Sequence, residues 1–236
     1  MTKRVRAAPD LPARLRGISR RLARRFGRPG ICGHETAPVE NLVLTILSQN
    51  TTDANRDRAY DALRKRFPSV AALAAAKPAE VEEAIRVGGL AKAKARSILG
   101  ALARLKRERG GYSLDFLRAM PLDEARGHLT SFPGVGVKTA NILLLFSFGL
   151  PAFPVDTHIL RVTKRLGLVP PNADLSKAAL SLEPHVAKGD HGPLHLNLIR
   201  LGREVCRPRA PLCPSCPLLP LCPEGARNTE GKRNSA

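Results

Sequence analysis

Apolar residues recur along most of this chain at three- and four-residue spacing, and almost nowhere in strict alternation. That period is the signature of helices with one buried face. Leu11, Leu15, Ile18, Leu22 and Phe26 share one face of a first helix, with arginines on the other, and Gly27-Arg28-Pro29-Gly30 breaks it. A second helix starts at Pro38, runs through Leu42, Leu44, Ile46 and Leu47, and stops near Ser48-Gln49-Asn50. Thr51 or Thr52 is placed to cap a third helix, through Tyr60, Leu63 and Phe67, with Asp53 in its first turn. Short helices are expected over 69–76 and 78–87, and a long one over 91–109 after the turn Gly88-Gly89-Leu90. A helix begun by Pro121 leads to Phe132-Pro133-Gly134-Val135-Gly136-Val137-Lys138-Thr139-Ala140, and the run from Lys138 to Phe148 follows. Residues 149–154 read as extended, because Pro151 and Pro154 disfavour helix at the residue before each. Asp156 or Thr157 caps the next helix, and others follow near 174–187 and 193–204. The polar stretch 223–236 reads as disordered.

The pattern predicts an all-α protein, and composition agrees. The 236 residues are 43% apolar, with no Trp, two Tyr and seven Phe, so the core is aliphatic. Charge narrows the partner. Thirty-nine basic residues against twenty acidic ones give a net charge of +19, spread along the whole chain. Such an excess favours a polyanion, because each neutralised phosphate releases counterions. The basic start, Met1-Thr2-Lys3-Arg4-Val5-Arg6, has no apolar run behind it, and no stretch reaches the roughly 20 apolar residues of a membrane span. The expectation is a soluble intracellular protein, cytoplasmic and associated with the nucleoid, with no membrane partner.

The turn at Gly134 and Gly136 has chemistry of its own. Glycines feeding a helix start leave amide N–H groups pointing at an anion, aided by the helix dipole. The turn is too short for a Walker loop and follows a helix rather than a strand, which argues against a dinucleotide-binding fold. What remains is a helix–hairpin–helix turn able to hold one backbone phosphate, or a plain corner between helices. Lys138 stands in the first turn of the following helix, against the dipole. That placement suits an amine acting as nucleophile, or a lysine that contacts phosphate. From Lys138 to Phe148 a helix travels about 16 Å, and an extended 149–155 spans about 23 Å. The chain is therefore long enough to return Asp156 toward Lys138. A carboxylate there serves either as a cap or as a group that stabilises developing positive charge and moves protons.

Five cysteines complete the inventory. Cys32 stands alone and reads as a small buried apolar residue. Cys206, Cys213, Cys216 and Cys222 fall within seventeen residues, spaced by six, two and five, among Pro208, Pro211, Pro214, Pro217 and Pro220. In a basic intracellular chain this suggests a metal site rather than disulfides. One continuous wrap favours a [4Fe-4S] cluster over zinc, whose Cys₄ sets usually come as two separated pairs.

Together these blocks resemble the endonuclease III family of DNA glycosylases, within the helix–hairpin–helix superfamily. The resemblance is carried by Leu47-Ser48-Gln49-Asn50-Thr51-Thr52-Asp53, by Gly89-Leu90 with Lys94-Ala95, by Phe132 to Asn141, by Val155-Asp156-Thr157-His158-Ile159-Leu160-Arg161-Val162, and by the cysteine spacing. It covers about 35–225. It implies two helical domains with a DNA-binding cleft between them: a six-helix domain over 36–150, and a second joining 1–35 to the C-terminal helices and iron–sulfur loop of 151–225, followed by a polar tail over 226–236. It further implies a monomer that acts on double-stranded DNA containing damaged bases or abasic sites. Lys138 would attack C1′ and form a Schiff base, Asp156 would assist base departure, and β-elimination would cut the strand. The base must first be flipped out of the duplex. Lys138 argues for this bifunctional chemistry, with oxidised pyrimidines as substrates. DNA contacts would come from Gly134, Val135, Gly136, Thr139, Gln49, Asn50, the wedge Leu90, Arg161, Arg207 and Arg209. Three positions depart from the family pattern. Asn50 stands where a longer glutamine is common, with Gln49 as a possible replacement gap-filler; Ala91 and Val137 also differ. They leave open a mismatch or other lesion-specific glycosylase, or a DNA-binding relative with weak or lost catalysis.

Overall fold

The computed structural model describes residues 10–30 and 37–233, the side chains of 230–233 excepted. The basic arm before Asp10 and the lone Cys32 lie outside the described residues. Within them the regular structure is entirely helical. In chain order the helices are α1 (Leu11–Phe26), α2 (Pro38–Leu47), α3 (Asp53–Arg66), α4 (Val70–Ala74), α5 (Pro78–Ala84), α6 (Ala91–Arg109), α7 (Leu122–Thr130), α8 (Val137–Phe148), α9 (Thr157–Arg165), α10 (Leu175–Leu182), α11 (His191–Glu204) and α12 (Pro223–Arg233). No described helix is long and apolar enough to cross a membrane.

Helix starts follow local chemistry. Asp10 accepts from the amide of Ala13 at 2.9 Å, Thr52 from Asn55 at 3.2 Å, Ser69 from Ala72 at 3.0 Å and Asp174 from Lys177 at 2.7 Å. Each removes one of the orphan donors of a first turn. Stops are equally local: α6 and α8 end on Gly110 and Gly149 in the left-handed region, at φ 71° and 67°.

The chain divides into two compact units, one of residues 32–152 and the other of 1–31 with 153–236. In the first, α2 packs on α8, α5 on α6 and α7 on α8, around Leu42, Ile46, Leu63, Ile98, Leu102 and Leu144, none more than 1% exposed. The α7–α8 hairpin is fixed by a buried polar pair: Arg126 donates to Asn141 at 2.8 Å and pairs with Asp123. In the second unit α1 and α9 pack on α11, burying Leu15, Ile18, Leu22, Ile159, Val162 and Leu198.

The C-terminal stretch differs from the disordered tail expected of 223–236, since Pro223–Arg233 is helical. Pro223 opens the helix, and Glu224 in its first turn pairs with Arg165 of α9 at 2.7 Å. A tertiary ion pair therefore supports a helix whose own residues have no apolar face.

Candidate active site and metal centre

In the first unit the Gly-rich turn between α7 and α8 is built by close packing. Gly134 has φ +73°, and a Cβ there would lie 2.2 Å from Ser97 Oγ and 2.9 Å from Ser97 Cβ on α6. Only glycine satisfies both the backbone and the space. Pro133 rests on Gly100, where an added Cβ would meet the proline ring at 3.1 Å, and Val135 is buried. Arg104 of α6 donates to Ser131 O at 2.6 Å and lies 5.3 Å from the Phe132 ring centre, which locks the turn from the other side. Gly136 is the N-cap of α8 and, having no side chain, supplies no cap hydrogen bond. The first-turn amides of α8 therefore remain donors without a capping oxygen. Lys138, half-buried, stands among them, and Thr139 behind it is 4% exposed.

Two segments of the same unit hold the other expected DNA contacts. Leu90, the N-cap of α6, is 59% exposed and left-handed, at φ 51° and ψ 33°. A bulky apolar residue in that left-handed conformation is strained. Asn50, also exposed, has φ 49°, a conformation asparagine tolerates better than most residues. Gln49 is already engaged within the protein: its amide donates to Gly134 O at 3.0 Å and to Thr139 Oγ1 at 3.2 Å.

In the second unit Asp156 is the N-cap of α9, and its Oδ1 accepts from the amide of Ile159 at 2.8 Å. Its approach is held by two buried groups that the sequence pattern did not single out. Glu183 accepts from the amide of Phe153 at 2.8 Å, and His195 Nδ1 lies 2.9 Å from Pro154 O. Arg161, expected at DNA, directs its guanidinium inward. It donates to Cys206 O at 3.0 Å and Gly202 O at 2.8 Å and meets His158 Nδ1 at 3.2 Å. Arg207 and Arg209 are exposed, Arg207 with a bond to Glu204 O at 3.2 Å.

The four clustered cysteines form no disulfide and line a single cavity between α9, the end of α11 and α12. Among the described residues no three His, Cys, Asp or Glu side chains converge on a point as they would around one ion. All four sulfurs carry donors: Arg165 on Cys206 at 3.4 Å, the Gly225 amide on Cys222 at 3.3 Å, Asn228 on Cys213 at 3.7 Å, and the Leu218 backbone on Cys216. Burial pushes the Cys216 and Cys222 thiols up, while backbone amides pull each back. N–H donors on sulfur suit a thiolate ligand set, so these residues fit a bound cluster. Arg165 also donates to Arg207 O at 2.8 Å and Pro208 O at 3.1 Å, stapling the loop at its start. No local sequence signal marks Arg165, because its partners lie about forty residues on.

Residues 43–185 match the HhH-GPD superfamily of base excision DNA repair proteins. The chain is 34% identical to the endonuclease III of Thermotoga maritima over 197 residues, which covers 83% of this chain and 86% of that protein. It is 41% identical over 148 residues to a candidate DNA glycosylase of Arabidopsis thaliana, covering 63% of this chain and half of that protein's length. Among solved structures, a trapped endonuclease III–DNA covalent intermediate superposes with a TM-score of 0.78 at 33% identity, over 92% of this chain and 98% of that one.

Proposed function

Because this chain belongs to the HhH-GPD superfamily and to its endonuclease III family, we propose that it excises oxidised pyrimidines from double-stranded DNA and then cuts the strand as an AP lyase, with Lys138 as nucleophile. The observation that carries this reading is the start of α8, where an amine stands in a helix turn whose amides have no capping side chain. A phosphate of the damaged strand takes those amides. That places the adjacent sugar beside Lys138. The flipped base leaves as Lys138 Nζ bonds to C1′ and the N-glycosidic bond breaks, with a proton delivered to the departing base. The C1′ amine then loses its ring oxygen bond to become a Schiff base. Removal of a C2′ proton breaks the C3′–O bond, and water releases Lys138. Asp156 supplies negative charge to the cationic sugar and moves the protons. Leu90 enters the stack as the apolar wedge.

Cys206, Cys213, Cys216 and Cys222 would hold a [4Fe-4S] cluster in this reading, supported by thiols spread round one cavity with N–H donors on all four. Four thiolates on one cluster would tie the loop after α11, at Cys206, to the start of α12, at Cys222.

Borohydride reduction on abasic duplex tests the assignment. A covalent protein–DNA adduct is expected, abolished in Lys138→Ala and Lys138→Gln while both variants still bind the duplex. An adduct that survives in both variants removes Lys138 from the role of nucleophile.

A further inference from the structure

One buried cation ties the end of α2 to the turn that carries Leu90. Lys94 is 2% exposed, and its Nζ donates to Leu47 O at 2.7 Å and Gly88 O at 2.8 Å. A buried ammonium persists where hydrogen bonds replace its water. Leu47 is the last residue of α2, so its carbonyl is one of the orphan acceptors of a helix end. Gly88 closes a single 3₁₀ turn, and the next two residues, Gly89 and Leu90, both have positive φ. Two residues beyond Leu47, Gln49 reaches toward α8. Its amide grips Gly134 O and the Thr139 hydroxyl, one on each side of the uncapped amides and Lys138. The short segment Leu47–Gln49 is thus bonded at one end to the wedge turn and at the other to the lysine turn, with every bond inside one compact unit.

We propose that Lys94 and Gln49 are positioning residues, forming one continuous brace that sets the exposed Leu90 and Asn50 at a fixed offset from Lys138. Gln49 acts inside the protein, and the space left by a flipped base falls to Asn50. The inference rests on the glycosylase–lyase reading. In that reading the wedge and the amine act on neighbouring nucleotides, so an error of about 1 Å between them costs on the order of a hundredfold in rate. Rigid support from both sides is the means of avoiding that error. The three elements lie far apart in sequence, at 47–49, 88–94 and 134–139, and the side chains of Gln49 and Lys94 bond them into one chain of contacts.

The test uses the full-length, cluster-loaded protein with Gln49→Glu, Gln49→Ala, Lys94→Met and Lys94→Arg. Gln49→Glu keeps the shape and turns a donor into an acceptor facing the Gly134 carbonyl. Three readouts separate the roles: amide hydrogen exchange of 133–141 in the free protein, borohydride trapping rate at saturating abasic duplex, and fluorescence of 2-aminopurine beside the abasic site as a measure of unstacking. Both Gln49 variants should speed exchange over 133–141 and slow saturating trapping about tenfold, with duplex affinity held within about threefold. Lys94→Met should also speed exchange over 86–92 and lower the 2-aminopurine signal, and Lys94→Arg, which keeps donors, should restore much of both. Gln49 variants that lose unstacking and affinity, yet exchange and trap normally once saturated, would make Gln49 the gap-filler and overturn the brace. Unchanged exchange in every variant overturns it as well. If the wild-type protein forms no adduct, the glycosylase–lyase reading fails by itself, and hydrogen exchange still decides whether the brace exists.

Discussion

The starts of α8 and α9 carry the two halves of the proposed chemistry and are built in opposite ways. At α8 the N-cap is Gly136, no side chain closes the first turn, and Lys138 stands in it. At α9 the N-cap is Asp156, whose Oδ1 already holds the Ile159 amide at 2.8 Å. An open helix start is a site for an external anion. A closed one is internally satisfied, and here the closing group is itself the candidate catalytic carboxylate, held by the helix it caps. The two starts therefore divide the work. In the proposed reaction one recruits negative charge from the substrate, and the other brings its own and keeps it in a fixed orientation.

The largest effect should come from removing the charge at α9 while keeping the cap. Asparagine caps about as well as aspartate, so Asp156→Asn should leave stability within a few tenths of a kcal/mol, while base excision in single turnover falls by roughly 10² to 10⁴, the usual worth of a positioned acid–base group. Asp156→Ala should lose the same activity and about 1 kcal/mol of stability besides. Wild-type excision by the Asn variant would reduce Asp156 to a cap. Next in size is the fit beneath α8. Gly134→Ala puts a methyl 2.2 Å from Ser97 Oγ at a backbone φ of +73°. The expected loss is about 2 kcal/mol, from left-handed strain together with overpacking. The hydroxyl can rotate, but Ser97 Cβ at 2.9 Å cannot, so adding Ser97→Gly should restore part of the stability lost. Urea titration of the single and double variants checks both numbers.

Both helix starts were legible in the sequence, because caps and glycine turns act over three or four residues. The pattern Gly134-Val135-Gly136 announced an open turn, and Asp156 before Thr157 announced a capped one. The same locality made Thr52 and the turn at Gly88-Gly89-Leu90 readable. Contacts between distant stretches were not readable. Lys94 sits on a basic helix where its neighbours Lys92 and Arg96 are exposed, and nothing local marks it as the buried one. Gln49 was expected at DNA, yet its amide bonds residues 85 and 90 positions away. Arg161 was expected to contact DNA, and its guanidinium bonds the end of α11, through partners more than forty residues on. The last helix shows the same limit from the other side. Pro223 and Glu224 are ordinary start signals, but the absence of an apolar face outweighed them, since the ion pair to Arg165 cannot be seen from position 224 alone.

The smallest predicted effect is the most direct exchange between the two starts. Gly136 has φ −90° and ψ 176°, and no atom lies within 4 Å of the place a Cβ would take. A capping side chain can therefore be added without strain. Gly136→Ser supplies the missing oxygen and makes the start of α8 resemble that of α9. Serine exceeds glycine at an N-cap by only a few tenths of a kcal/mol, so stability should rise by that amount. The same oxygen competes with phosphate for the amides. Duplex affinity should fall a few-fold, with the slope of log affinity against log salt reduced by up to about 0.9, the share of one phosphate contact. Gly136→Asp should weaken binding further, because a carboxylate takes the phosphate's place with charge as well as geometry. The two readouts move in opposite directions, stability up and affinity down, and general damage to the fold would lower both. If affinity and salt slope stay at their wild-type values in both variants while stability rises, the amides of α8 do not hold phosphate, and the Gly-rich turn is a corner between helices and nothing more.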